Sequence, residues 1–196
     1  MVRHGDTELN SALRYWGKSD VKLSVQGLSQ AERLRDRLTA EKIDAIYSSD
    51  LVRAVVTAEI ISSGHKLKVI ACPELREVDF GELEGLTFDE ISEKYPPVAK
   101  RWIERSPRLK YPGGESRADF TIRVCGFLRR LERHSTSDSV LIVAHSGVLR
   151  TLICELLHAP PGMRWQLKCD LASLSIVETH GRVAILTLLN DVSHLR

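Results

Sequence analysis

The sequence predicts an α/β fold: a three-layer sandwich with a mostly parallel central sheet and helices on both faces. Three observations carry this. Short β-rich runs alternate with segments of helical period, the pattern of repeated βαβ units. One run, Val140-Leu-Ile-Val-Ala144, is apolar on both faces, as a strand in the middle of a parallel sheet must be. Apolar residues make up 43% of the 196, enough for one core in a single domain over 1–196.

The elements follow in chain order. Met1-Val2 reads as the end of a first strand. Val25, Leu28, Ala31, Leu34 and Leu38 keep helical spacing, with Ser24 placed as N-cap. A strand is expected at 44–47, then a helix through Val52, Val55, Val56 and Ile60 capped by Asp50. A third strand is expected at 67–70. Residues 79–117 break the rhythm with Gly81, Gly85, Pro96, Pro97, Pro107 and Pro112-Gly-Gly114. They read as a long irregular, lid-like excursion over a binding site. Phe120, Val124, Phe127, Leu128 and Leu131 stripe one further helix. After the 140–144 strand, Ser146 is placed to cap a helix through Val148, Leu149, Leu152, Ile153 and Leu156. The 172–177 and 183–188 runs, separated by His180-Gly181, predict a hairpin.

Composition removes several function classes. With 28 Lys+Arg against 26 Asp+Glu the net charge is +2, too even for a dedicated nucleic-acid binder. No apolar stretch approaches the ~18 residues that cross a bilayer, and charges at Arg3, Asp6 and Glu8 argue against a signal peptide. The four cysteines, Cys72, Cys125, Cys154 and Cys169, form no CxxC and read as reduced thiols of a cytoplasmic protein. HExxH, a His pair at i, i+4, a P-loop and GxSxG are all missing, so neither a metal site nor a serine hydrolase is supported.

In an open parallel sheet, ligands sit outside the carboxyl ends of the strands. The polar residues found there are Arg3, His4 and Gly5; Ser48, Ser49 and Asp50, with Arg53 following; Glu74, Arg76, Glu77 and Asp79; and His145, Ser146 and Gly147. A lone His or Arg at a strand end is more often an ordinary surface residue. Arg3, His4, Arg53 and His145 converging on one crevice is a different matter. The helix opening at Ser146 adds free N–H groups and a positive dipole end, a natural anion site. Arginine forks suit phosphate oxygens, and neighbouring arginines keep an imidazole neutral and nucleophilic. His65, His134, His158 and His180 read as bystanders, and His194 is not assigned to the site. Tyr15, Trp16, Phe80, Trp102 and Tyr111 could stack on a substrate ring or simply pack.

Six blocks in order resemble the histidine phosphatase superfamily, which includes the phosphoglycerate mutases. Arg3-His4-Gly5-Asp6-Thr7 with Asn10 is similar to RHGET…N, and Leu23-Ser-Val-Gln-Gly27 with Gln30-Ala31 to LTxxGxxQA. Ser48-Ser-Asp-Leu-Val-Arg53 with Thr57-Ala58 is similar to SSxLxRAxxTA, and Leu75-Arg-Glu77 through Gly85 to LREIxFGxWEG. Pro112-Gly-Gly-Glu-Ser116 and Val143-Ala-His145-Ser-Gly147 resemble PGGES and VxHxG. Asp6 and Leu83 depart from the pattern without touching its chemistry.

The resemblance implies a phosphoglycerate mutase-like fold and a metal-independent phosphomonoesterase with no cofactor. It implies His4 as nucleophile, Glu77 as general acid and base, and a phosphoryl clamp of Arg3, Arg53 and His145. Asn10 and the Ser146 helix end would be further phosphate contacts. The block spacing is most similar to α-ribazole phosphatases and broad-specificity phosphatases, making α-ribazole 5′-phosphate one expected substrate. Phosphoglycerate mutase is an alternative within the family, and a non-catalytic phosphate-ligand binding module is one from another class. The expected partner is a small phosphomonoester, with no nucleic acid and no membrane; a homodimer is compatible. Family members carry more strand before their RHG than Met1-Val2, so the expectation is a longer natural first strand.

Overall fold

The computed structural model describes residues 1–9, 14–181 and 183–196. Among them, strand β1 (Val2–Arg3) is followed by helix α1 (Val25–Leu38), β2 (Ala45–Ser48), α2 (Val52–Ser63) and β3 (Val69–Ala71). Next come α3 (Phe88–Lys94), α4 (Pro96–Ile103), α5 (Arg117–Gly126) and α6 (Leu128–Leu131). The order ends with β4 (Val140–Ala144), α7 (Ser146–Leu156), β5 (Leu174–His180) and β6 (Val183–Asp191).

The strands form one six-stranded sheet in the order β3-β2-β4-β1-β5-β6. The four from β3 to β1 run parallel; β5 and β6 complete the sheet antiparallel. The β1 ladder pairs Val2 with Val143 and Arg3 with Ala144. Alternation along the central strands feeds two cores. Ile46, Leu141 and Val143 meet Leu34 and Leu38 of α1 and Ala54, Ala58 and Ile61 of α2. Tyr47, Ile142 and Ala144 meet Val124 of α5 and Val148, Leu149 and Leu152 of α7. Helices therefore cover both faces, as the both-faced apolar character of 140–144 requires.

Local chemistry differs from the sequence reading at several points. Ser24 does cap α1, its Oγ accepting from Gly27 N at 3.0 Å. Asp50 does not cap α2; its carboxylate is engaged by Arg76 at 2.6 Å, and Asp20 Oδ1 accepts from Val52 N at 2.7 Å instead. Ser146 is the first residue of α7 rather than its cap, a position His145 occupies. The stripe from Phe120 to Leu131 is split into α5 and α6 beside Gly126, whose missing side chain weakens helix. The 79–117 stretch is not irregular throughout. Thr87 and Glu90 form a reciprocal capping box opening α3, and Pro96 sits at the first position of α4. Proline there starts a helix, since its missing N–H has no intrahelical partner to lose.

Candidate active site

The polar ends of β1, β2 and β4 meet at one edge of the sheet. They open into a cleft of about 380 Å³ lined by Arg3, His4, Arg53, Glu77, His145 and Ser146 among others. Asn10 lies outside the described residues. Backbone crowding sets the floor. A Cβ on Gly5 would lie 2.5 Å from Gly27 O, and one on Gly27 would lie 2.0 Å from Asp6 O. Only glycine at both positions lets α1 press against the loop that carries His4.

His4 is buried, with its Nδ1 2.7 Å from Gly5 O. A carbonyl oxygen only accepts, so Nδ1 carries the hydrogen and Nε2 keeps its lone pair. Arg53 Nε donates to His145 Nδ1 at 3.3 Å, which places the other hydrogen of the pair on His145 Nε2, 2.9 Å from Ser49 Oγ. The two imidazoles face each other with centroids 5.0 Å apart. Arg53 is itself held rigidly: its two terminal nitrogens donate to Ser19 O at 2.7 Å and Gly17 O at 2.6 Å. Arg3 Nη1 donates to Cys169 O at 2.7 Å, while its buried Nε has no protein partner.

Burial, then the charges of Arg3 and Arg53, holds His4 well below the usual imidazole value of 6.5. Burial, then Arg53, does the same to His145. Both rings are therefore neutral at neutral pH. The consequence for stability has a definite sign. In the unfolded chain both rings titrate near 6.5. Below that value the unfolded chain binds more protons than the folded one, so stability falls as pH falls; above it both states are neutral and the effect vanishes. Between about pH 8 and about pH 5, the melting temperature should hold down to about 6.5 and then decline. The decline should be shallower in His145→Gln.

Glu77 is the one carboxylate lining this cleft among the described residues. Its Oε2 accepts from Gly147 N at 2.9 Å, and its Oε1 accepts from Val78 N at 3.0 Å. The carboxylate thus rests on the N-terminus of α7. A Cβ on Gly147 would stand 2.4 Å from Glu77 Oε1, so this seat needs glycine. The neighbouring acids are occupied elsewhere: Glu74 pairs with Arg130, and Asp79 with Lys18.

Tyr15, Trp16, Phe80, Trp102 and Tyr111 all line the cleft. Tyr15, Phe80, Trp102 and Tyr111 also pack on one another, with Phe80 and Trp102 stacked at 5.5 Å. His194 instead bonds Ala172 O, and His134 bonds the Tyr47 hydroxyl. Thr57 was legible only as part of a motif; its Oγ accepts from Gly5 N at 3.2 Å and donates to Arg53 O at 2.8 Å, tying the loop after β1 to the first turn of α2. Sequence reasoning missed Arg117, Arg150, Arg164 and Trp165, which line the outer part of the cleft. Arg150 had a signal: it follows Ser146 by one helical turn. Arg164 and Trp165 had none, because a short 3₁₀ turn at Pro161–Trp165 brings them in.

The comparisons with known proteins agree with one another. The family model described as histidine phosphatase superfamily (branch 1) matches residues 1–192. Phosphoserine phosphatase 1 of Hydrogenobacter thermophilus is 36% identical over 195 residues, covering all of this chain and 92% of the relative. The adenosylcobalamin/alpha-ribazole phosphatase of Escherichia coli is 31% identical, over 97% of this chain and 94% of the relative. The crystal structure of the alpha-ribazole phosphatase from Shigella flexneri superposes with a TM-score of 0.90 at 30% identity, covering 97% and 94% of the two chains. With the six sequence blocks, the sheet order and this match in agreement from end to end, the chain belongs to branch 1 of the histidine phosphatase superfamily and is a phosphoric monoester hydrolase.

Proposed function

We propose that hydrolysis runs through a phosphohistidine on His4 Nε2. The lone pair attacks phosphorus, the bond to the alcohol oxygen breaks, and Glu77 gives that oxygen its proton. Water then attacks the phosphohistidine, Glu77 takes a proton from it, and the P–N electron pair returns to Nε2. Arg3, Arg53, the Ser146 N–H at the start of α7 and His145, its Nε2–H turning from Ser49 Oγ to the phosphate, hold the equatorial oxygens, where transition-state charge is spread. Asn10 would add a further contact. These guanidiniums supply the charge that a metal ion supplies in other phosphoryl-transfer sites.

The observation that carries this reading is the 2.7 Å contact from His4 Nδ1 to Gly5 O, which leaves Nε2 as the free nucleophile among cationic groups. Among the described residues no helix is long and apolar enough to cross a membrane. The four cysteines are free thiols, three of them buried, which suits a reducing cytoplasm. The names of the two relatives point to alcohols of different charge: ribazole is an uncharged nucleoside-like alcohol, whereas serine brings a carboxylate. Rapid quenching of turnover on a ³²P-labelled substrate, in chelator, should trap an acid-labile, base-stable adduct on His4. An adduct on His145 or on a serine, or loss of turnover in chelator, would overturn the mechanism.

A further inference from the structure

The outer part of the cleft collects positive charge that nothing in the phosphoryl site uses. Arg117 opens α5, Arg150 lies one turn into α7, and Arg164 sits in the 3₁₀ turn ending at Trp165. Their guanidinium carbons stand 4.9, 5.6 and 5.9 Å from the Trp165 ring centre, and the exposed Arg105 stands at 6.0 Å. Among the described residues, no carboxylate comes within 4.0 Å of any of the four.

Elsewhere the protein pairs its partly buried arginines. Arg76 has Asp50, Arg123 has Glu115 and Arg130 has Glu74. Here the partners are weaker. Arg117 Nη1 donates to the carbonyls of Arg105 and Ser106, Arg150 Nε to Ser146 O at 3.1 Å, and Arg164 Nη1 to Thr121 Oγ1 at 3.4 Å. Arg117 Nη2 and Arg164 Nε are buried with no partner at all. Burial first, then their mutual charge, lowers the pKa of Arg117; burial first, with Arg150 adding to it, lowers that of Arg164. Gathered like charges with unused buried donors are costly unless an anion arrives to complete them. Stacking on Trp165 compensates only in part, and it accounts for neither the unused donors nor their place in the cleft wall.

The geometry also sets the spacing. Arg150 follows Ser146 by four residues, about 6 Å along α7. It is near enough to Arg3 for the two charges to act on each other. We propose that the substrate is a phosphomonoester whose alcohol half carries a second anionic group, received by Arg117, Arg150 and Arg164 against Trp165, a spacer of a few atoms from the phosphate. This rests on the phosphomonoesterase reading and narrows its substrate class. A carboxylate and a second phosphate share the chemistry that an arginine fork recognises. An uncharged nucleoside alcohol would leave the cluster unanswered.

Two measurements test it. On the unmodified enzyme, 3-phosphonopropanoate should inhibit about 10–100-fold more tightly than propylphosphonate, the scale of a charge-assisted bond in a desolvated cleft. 1,3-Propanediyl bisphosphonate in the same assay separates a second phosphate from a carboxylate. In Arg117→Gln and Arg164→Gln, the ratio of kcat/KM for O-phosphoserine to that for glycerol 1-phosphate should fall by a similar factor, with Arg→Lys variants recovering part of it. Equal inhibition by the charged and uncharged phosphonates would overturn the proposal without touching the phosphatase reading. So would an unchanged ratio in folded variants. Loss of hydrolysis on every phosphomonoester in the unmodified enzyme would instead overturn the reading beneath it.

Discussion

His4→Ala should lose about 10⁴–10⁶-fold in kcat, the scale of removing a covalent nucleophile. The comparable variant His145→Ala should lose less, because in the proposed mechanism it removes one contact to the phosphoryl oxygens and leaves the bond-forming atom in place. The two are distinguishable by more than rate. His4→Ala should give no acid-labile phosphoenzyme at all, yet still bind inorganic phosphate, since Arg3 and Arg53 are anchored by Cys169, Gly17 and Ser19 carbonyls rather than by His4. A phosphoenzyme forming at normal rate in His4→Ala would move the nucleophile elsewhere.

Glu77→Gln should lose about 10²–10⁴-fold on an alkyl phosphomonoester, the range for a positioned acid. An alkoxide leaves poorly and needs the proton as it departs. A p-nitrophenolate leaves well, so on p-nitrophenyl phosphate the loss should be about tenfold, below that range. Gly147→Ala offers an independent route to the same result. Its Cβ would fall 2.4 Å from Glu77 Oε1 and push the carboxylate off the α7 terminus while leaving its chemistry intact. The same leaving-group dependence should appear there. Equal losses on both substrates in both variants would mean that Glu77 only braces the loop. Arg76 and Arg53 do not require such a brace, because Asp50 and backbone carbonyls already hold them.

The parts of the fold that were legible in the sequence are those where one local rule acts alone. The 140–144 strand was bounded correctly because its both-faced apolarity has no competing explanation. Ser24 was a correct cap because the next helix begins immediately after it. Asp50 failed because a carboxylate two residues from a helix can find a guanidinium from a distant loop, and Arg76 does so. The 79–117 stretch misled because proline both breaks and begins helices, and Pro96 begins one. The meeting of Arg3, His4, Arg53 and His145 in one cleft was legible because strand ends converge by topology. The Trp165 cluster was not, since a turn far along the chain supplies half of it.

The sheet order has a consequence for how the enzyme is born. β1 lies between β4 and β5, so the strand that leads into His4 waits for partners translated well over a hundred residues later. Contacts of such long range are slow to form and leave early segments exposed while they wait. A ribosome that stalls before Ala144 releases a chain with Arg3, His4 and Arg53 already made and nowhere to assemble them. The pairing that sets His4 beside His145 therefore forms late in synthesis. A chain cut short of β4 leaves Val2 and Arg3 without their parallel partners and the two histidines unassembled.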